Sequence, residues 1–391
     1  IGEDGLEGIS TAAKKLVESA EVLFGGKRHL EMVPDGKAEK IIWAKRMREA
    51  VPKILERRGQ NIVVLASGDP MCYGIGTKLL RHLELGEVEI HPVLNSFSLA
   101  CSRMGWSLPD VETMTIHGRP VTMLHPYLYP GARILCLSED ASSPAEAASL
   151  LHSRGFGSSR ITVLENMGGA KEKIYCGEAH SWNFPEGSSL NTLAIECFDE
   201  PNPDLLSRIA GLPDSAFQHD GKLTKQEVRS SVLSKLMPFP DHLLWDIGAG
   251  CGSIAIEWMR SHPNCHAVAV ERSSERINMI RNNADALGTP MLQTVQGEVP
   301  GIITELPRPD AVFLGGGISF ETLEKCWEVL APLGRLVSNA VTLESERVLL
   351  DWQARQGGEL TRISISRAES VGRFQGWRPL MPVTQFSMIK R

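Results

Sequence analysis

The residues with the clearest capacity for chemistry lie in the run LLWDIGAGCGS at 243–253, where Asp246 precedes Gly248, Gly250 and Gly252 at alternate positions. The apolar stretch before them reads as a strand, and IAIEWMR after them reads as a helix, so the glycines occupy a strand-to-helix turn. Glycine lets the backbone turn tightly and opens its amides to a ligand, and a helix start offers N–H groups without an intrahelical partner. The spacing discriminates between cofactors. A dinucleotide turn reads G-x-G-x-x-G and seats a pyrophosphate. Here the pattern is G-x-G-x-G behind an acid, and a carboxylate in that place repels a pyrophosphate. It can instead pair with an ammonium group, such as the amino-acid tail of S-adenosylmethionine. The next apolar run, AVAVE, ends in Glu271, placed to hold two ribose hydroxyls. A loose glycine loop beside a chance surface acid is the plainer explanation, and the combination of features weighs against it.

Two later positions fit the same pocket. Gly297 and Glu298 follow a third apolar run, where an acid would meet an adenine amino group. The fourth run ends in Phe313-Leu314-Gly315-Gly316-Gly317. Enzymes that methylate nitrogen in bases or proteins often carry Asn/Asp-Pro-Pro-aromatic at this point. Glycines there remove the clamp for an amine and leave room for a large planar acceptor, with Gly315 on the cofactor side and Gly316 and Gly317 towards the substrate. A merely flexible loop is the alternative.

These residues need a scaffold. Short apolar runs at 61–67, 133–138, 160–165 and 190–197 read as buried strands, with helical patterns between them, for example at 38–58 and 145–154. Such alternation predicts α/β layers around a mostly parallel sheet. The segment DEPNPD at 199–204 suits an exposed linker and divides the chain into domains 1–203 and 204–391. A second series follows at 243–247, 267–271, 291–296, 311–314 and 335–339, with 359–368 and 382–389 as a closing pair of strands. Trp106, Trp245, Trp258 and Trp377 read as core.

Composition narrows the classes. A net charge of -6 over 391 residues argues against broad nucleic-acid affinity, because no excess of basic groups is present to neutralise phosphates. The eight cysteines form no CxxC pair, which argues against a zinc ribbon or dithiol site and for a reducing, cytoplasmic setting. No apolar run reaches the ~18 residues of a membrane span. The opening IGEDGLEGIS has no basic flank or apolar core of a signal peptide, and without Met it is expected to continue a longer chain. Neither a metal site nor a catalytic triad is expected.

From about Gly211 the chain resembles the decarboxylating methyltransferases of corrin biosynthesis, on residues 211–236 (GLPDSAFQHDGKLTKQEVRSSVLSKL), LLWDIGAGCGSIAIEW, AVAVE and FLGGG. The element TKQEVR at 224–229 is specific to that family. The resemblance implies that it covers the cofactor site, with Thr224 at the cofactor and Lys225 at the substrate. Cys251 stands where Ser is usual and Glu298 where Asp is usual. Residues 1–203 resemble the tetrapyrrole C-methylase family, in its corrin carbon-5 branch. The carrying segments are VVLASGDPMCYGIG (63–76), FSLACSRMGW (97–106), IHGRP (116–120), TVLENMGGAKEKI (162–174) and LNTLAIE (190–196). This implies a second cofactor site, with Gly68, Asp69, Pro70 and Asn191 as its residues. The family's opening strand and Gly-x-Gly loop are reduced here to IGEDG, and Leu94-Asn95 replace a usual Pro-Ser.

Fusion of two such halves is characteristic of the decarboxylating C5,15-methyltransferases of cobalamin biosynthesis. The implied fold is α/β, a two-lobed tetrapyrrole methylase fold followed by a Rossmann-like class I S-adenosylmethionine-dependent methyltransferase fold. The implied reaction takes precorrin-6B to precorrin-8X with two S-adenosylmethionine sites per chain, and both families commonly form homo-oligomers. A carboxylate-rich tetrapyrrole calls for basic groups at both clefts. His117 and Arg119 in the first half, and Arg373 and Arg378 in the second, are the candidates, with solvated surface charge an equal alternative. A nicotinamide dehydrogenase, a methyltransferase acting on RNA or protein, a chain active only in its C-terminal half, and a corrin carrier stay open. The glycine spacing weighs against the first. The acidic balance and the absent Pro-Pro-aromatic element weigh against the second.

Overall fold

The computed structural model describes residues 1–43, 47–198, 200–201 and 203–391. They form two compact units, one of residues 1–121 with 127–204 and the other of 122–126 with 205–391. Asp199 and Asn202 of the expected linker lie outside the described residues.

The N-terminal unit carries two sheets. The first joins β1 (Val22–Gly25), β2 (Glu39–Ile42) and β3 (Ile62–Val64) in the order β2-β1-β3, all parallel. The second joins β4 (Glu112–Thr115), β5 (Arg133–Leu137), β6 (Arg160–Glu165), β7 (Lys173–Glu178) and β8 (Asn191–Glu196) in the order β4-β5-β8-β6-β7. Only β4 and β5 are parallel there. The expected parallel arrangement therefore fails in this sheet. The seven residues between β6 and β7 are too few for the crossover that a parallel pair requires. The helix expected over 38–58 is also corrected: residues 39–42 form β2 and the helix is Met47–Leu55, with 44–46 outside the described residues. Strands of four residues, such as β1, β2 and β4, are too short to display a period of two in sequence.

In the C-terminal unit a seven-stranded sheet joins β9 (Leu243–Ile247), β10 (His266–Glu271), β11 (Gln293–Gln296), β12 (Ala311–Leu314), β13 (Arg335–Ala340), β14 (Glu359–Ile363) and, beyond a hairpin, β17 (Val383–Ile389). Their order is β11-β10-β9-β12-β13-β17-β14, with β17 antiparallel to both of its neighbours and the rest parallel. Side chains alternate between two cores. Leu244, Ala267 and Phe313 meet Trp258 and Ile280 on one face, while Trp245, Val268 and Leu314 meet Leu323 and Trp352 on the other. Burial on both faces explains the continuous apolar runs of these strands.

Residues 359–368 are not one strand. The chain leaves the sheet after Ile363 and forms a separate antiparallel hairpin of β15 (Ser366–Val371) and β16 (Phe374–Pro379). The break shows in the pairing, since β14 pairs with β17 and β15 with β16. Trp377 stands on this hairpin and is 78 % exposed, against the expectation of a core position, whereas Trp245 and Trp258 are buried.

Candidate functional site

β9 ends at Ile247 and the helix Ser253–Ser261 begins after Gly252. Between them Gly248, Gly250 and Gly252 take φ of +69°, +61° and +82°. The constraint is strictest at Gly248, where a Cβ would lie 2.6 Å from the Gly316 nitrogen and 2.7 Å from its Cα. The turn and the 315–317 loop thus touch backbone to backbone, and Gly315 and Gly316 both donate to the Ile247 carbonyl, at 2.9 and 3.3 Å. At Gly250 the space is open: a Cβ would meet only the Lys222 carbonyl, at 3.6 Å. The structure therefore brings Gly248, Gly250, Gly252, Gly315, Gly316 and the chain at Lys222 to one place. Gly317 continues the loop and faces Val299.

Asp246 lies beneath the turn, 1 % exposed. Its Oδ2 accepts from the Ala255 N–H at 3.0 Å, and its Oδ1 has no partner among the described residues. Burial pushes its pKa up to about 7, with a further push from Glu271 and opposition from the Ala255 N–H. Glu271 is buried at the end of β10. It accepts from the Gly250 N–H at 3.0 Å through one oxygen, and from Arg272 and Ser273 at 3.0 and 3.1 Å through the other. A carboxylate has about four acceptor sites, so capacity remains for a hydroxyl. Gly297 donates to the Glu271 carbonyl at 3.1 Å, whereas Glu298 is exposed and lies 3.7 Å from Arg272.

Sequence reasoning missed the residues that hold the segment 211–229 down. Arg229 is fully buried. Its guanidinium donates to Glu257 at 2.6 Å, to Asp214 at 3.3 Å and to the carbonyls of Leu212 and Thr224, and it stacks over Phe217. Glu257 in turn accepts from the Gly211 and Leu212 N–H groups at 2.6 and 3.0 Å. Asp214 also accepts from the Gln226 N–H at 2.9 Å, at the start of the helix Gln226–Leu236, for which Lys225 is the N-cap. Arg367 of the hairpin bridges Asp214 and Glu227, at 2.9 and 2.7 Å. Buried Asn283 donates to the carbonyls of Gln218 and Cys251, at 2.8 and 2.9 Å, which ties this segment to the glycine turn. Arg229 sits inside TKQEVR, yet its partners come from elements that one sequence cannot pair.

In the N-terminal unit Gly68-Asp69-Pro70 forms a tight turn past β3. Gly68 has φ +56°, and a Cβ there would lie 3.1 Å from the Asn95 Cα. Asp69 accepts from the Met71 N–H at 2.8 Å, and the Pro70 carbonyl accepts from Gly76 at 2.9 Å. Ile1 runs alongside: its amine donates to the Ala66 carbonyl at 2.7 Å, and the Gly68 N–H donates to its carbonyl at 3.2 Å. Asn191 is buried and engaged within the unit, accepting from Ser138 at 2.5 Å and donating to Asp140 and Ser188 carbonyls at 3.1 and 2.9 Å. His117 and Arg119 lie exposed after β4, with His117 3.2 Å from Glu139. Arg373 and Arg378 are exposed on the hairpin, the first over the Phe374 ring and the second paired with Glu369 at 3.0 Å.

Comparison with known proteins gives the following. Residues 215–390 match the family model of a precorrin methyltransferase domain, and residues 1–181 match that of tetrapyrrole (corrin/porphyrin) methylases. The whole chain is 45 % identical to the precorrin-6Y C(5,15)-methyltransferase [decarboxylating] of Sinorhizobium sp, covering 95 % of that protein. Over 175 residues, 45 % of this chain, it is 31 % identical to the cobalt-precorrin-7 C(5)-methyltransferase of Salmonella typhimurium, covering 86 % of that protein. Over 180 residues, 44 % of this chain, it is 32 % identical to a protein of Pyrobaculum calidifontis named as a cobalt-precorrin-6B C(15)-methyltransferase (decarboxylating), covering 92 % of that protein.

Proposed function

Because the chain belongs to the decarboxylating precorrin-6Y C5,15-methyltransferase family, we propose that its two units divide the reaction, each with its own molecule of S-adenosylmethionine. The protein is a methyltransferase of cobalamin biosynthesis, with S-adenosylmethionine as donor and a precorrin as acceptor. In the proposed division the N-terminal unit methylates carbon 5. The C-terminal unit methylates carbon 15 and removes the carboxyl of the ring C acetate, completing the conversion to precorrin-8X. The observation that carries the reading is the C-terminal glycine turn, where the buried acids Asp246 and Glu271 accompany glycines that leave backbone room at Gly250.

Bound S-adenosylmethionine supplies an electrophilic methyl group on a sulfonium. To hold it, Glu271 would accept from ribose hydroxyls, Oδ1 of Asp246 would face the ammonium group, and Gly297 and Glu298 would serve the adenine. Thr224 covers the site from the segment that Arg229 and Glu257 hold in place. For transfer of that methyl to an electron-rich carbon, the residues around the site would supply alignment and exclusion of water more than a strong base. Gly315, Gly316 and Gly317 leave the acceptor face uncluttered. Methylation at carbon 15 leaves a cationic conjugated ring, which takes up the electron pair released when the acetate loses carbon dioxide. Decarboxylated product without carbon-15 methylation contradicts this coupling.

In the N-terminal unit Gly68, Asp69, Pro70 and Asn191 are assigned to the second donor. His117, Arg119, Lys225, Arg373 and Arg378 are assigned to substrate carboxylates. The enzyme acts in the cytoplasm, which the eight unpaired cysteines support, and no helix among the described residues is long and apolar enough to cross a membrane. Self-association with a second copy is part of the reading, supported by exposed Val371, Phe374 and Trp377 on the hairpin. The test is mass spectrometry of the product after incubation with precorrin-6B and isotope-labelled donor. Two labelled methyls and one lost carboxyl are expected; a single methyl restricts activity to one unit.

A further inference from the structure

The N-terminal unit holds a polar cluster that none of the assignments above uses. The strands β1, β2 and β3 are parallel, and ligands of such sheets bind outside the carboxyl ends of the strands. At that end, Arg28 and His29 follow β1 on the short helix Lys27–Glu31, and Ser67 follows β3 immediately before Gly68. Arg28 Nη2 lies 2.9 Å from His29 Nε2 and donates to Ser67 Oγ at 3.2 Å, while Ser67 Oγ lies 3.0 Å from the same His29 nitrogen. A guanidinium can only donate, so His29 Nε2 is the acceptor and the imidazole is neutral with its proton on Nδ1. Burial, then the charge of Arg28, brings the pKa of His29 to about 4, consistent with that state. Nδ1 itself is buried, with no partner among the described residues.

His29 is thus a positioning residue: 7 % exposed, it fixes the guanidinium without neutralising it. The Arg28 side chain is 40 % exposed, Ser67 is exposed, and the Glu3 carboxylate lies against Arg28 Nη1. Glu3 lies beside Ile1, which pairs with Ala66 and Gly68, so Arg28 stands where the turn assigned to the donor borders the open end of the sheet.

We propose that Arg28 and Ser67, braced by His29, form a carboxylate-binding subsite of the N-terminal unit. The ligand is a carboxylate of the tetrapyrrole periphery or the α-carboxylate of the methyl donor, and it joins or displaces Glu3 on the guanidinium. The proposal rests on the reading that this unit performs the carbon-5 methylation.

The two-unit chain provides its own control, because carbon-15 methylation and decarboxylation are assigned to the other unit. In Arg28→Met and, more weakly, Ser67→Ala, one affinity should fall by about 10- to 100-fold, the range for a lost hydrogen bond to a charged group. If half-saturation by the tetrapyrrole rises for carbon-5 methylation alone, the substrate supplies the carboxylate. If S-adenosylhomocysteine binds one of two sites more weakly in calorimetry, the donor supplies it. Arg28→Lys should recover part of the loss, and His29→Gln, which keeps an acceptor, should stay closer to the parent than His29→Leu. Unchanged affinity for both ligands in Arg28→Met and Ser67→Ala overturns the subsite. Ser67 is exposed, so its variant reports even if Arg28→Met folds poorly. Gly68→Val is the separate check on the premise: it should abolish the carbon-5 methyl, and two methyls from it would overturn the assignment of carbon 5 to this unit rather than the subsite.

Discussion

Replacing Asp246 by Asn removes one ionisable proton from the C-terminal unit while keeping the shape of the side chain and an oxygen to accept from the Ala255 N–H. The folded-state pKa of Asp246 is raised from 3.8 to about 7, chiefly by burial. Between those values the unfolded chain has released its proton and the folded chain retains it, so stability falls as pH rises. The contribution is fully present below about pH 4 and is gone once the pH passes about 7. At 1.36 kcal/mol per pKa unit the loss across this window is about 4 kcal/mol. Asn carries no such titration. Its amide leaves a buried donor unpaired, at about 1–3 kcal/mol, but that cost does not vary with pH. The stability of Asp246→Asn relative to the parent should therefore improve by about 4 kcal/mol between pH 4 and pH 7.5. With about 2–4 °C of Tm per kcal/mol for a unit of this size, the relative Tm should rise by about 10 °C. The same variant should lose S-adenosylhomocysteine binding at one of two sites, because the cationic tail no longer meets a carboxylate. Thermal melts across pH 4–8, followed by calorimetry at pH 7.5, read both effects. Melting curves that shift in parallel for the two chains would refute the burial argument, and undiminished binding would refute the cofactor role.

Other consequences concern the same unit. Gly248→Ala places a Cβ 2.6 Å from the Gly316 nitrogen at φ +69°, so it should cost about 2–5 kcal/mol by left-handed strain and overpacking. In product analysis it should suppress carbon-15 methylation and decarboxylation together, and full activity would show that the two loops need not touch. Glu271→Gln has one oxygen where three backbone N–H groups now converge on two, and it should weaken S-adenosylhomocysteine binding at one site by about 10- to 100-fold. Arg229→Met leaves Glu257 buried without its charge partner and should destabilise by about 3–5 kcal/mol in denaturant titrations. Combining it with Glu257→Gln should cost less than the two single losses added together, and strict additivity would contradict the coupling.

How far the sequence could be read depended on the range of each interaction. Strand β9, its glycine turn and Glu271 at the tip of β10 were legible because local spacing carries them. The contact between Gly248 and Gly316 explains why both loops are glycine, but it forms across 68 positions and no local pattern announces it. Arg229 was in plain view inside TKQEVR, and its importance depends on Glu257 and Asp214, which arrive from elsewhere in the fold. His29 was overlooked in favour of His117 for the same reason, since only the structure sets it against Ser67. Where strands are four residues long, as in β1 and β2, tertiary pairing rather than periodicity defines them. The hairpin at 366–379 follows the strand before it after two residues, and its pairing separates them.

The most direct measurement counts the sites. Calorimetric titration of the two-unit chain with S-adenosylhomocysteine should give a stoichiometry of two per chain in the parent and one in Gly248→Ala. A stoichiometry of one in the parent would contradict the claim that each unit holds its own methyl donor, and none at all would contradict the reading of the glycine turn itself.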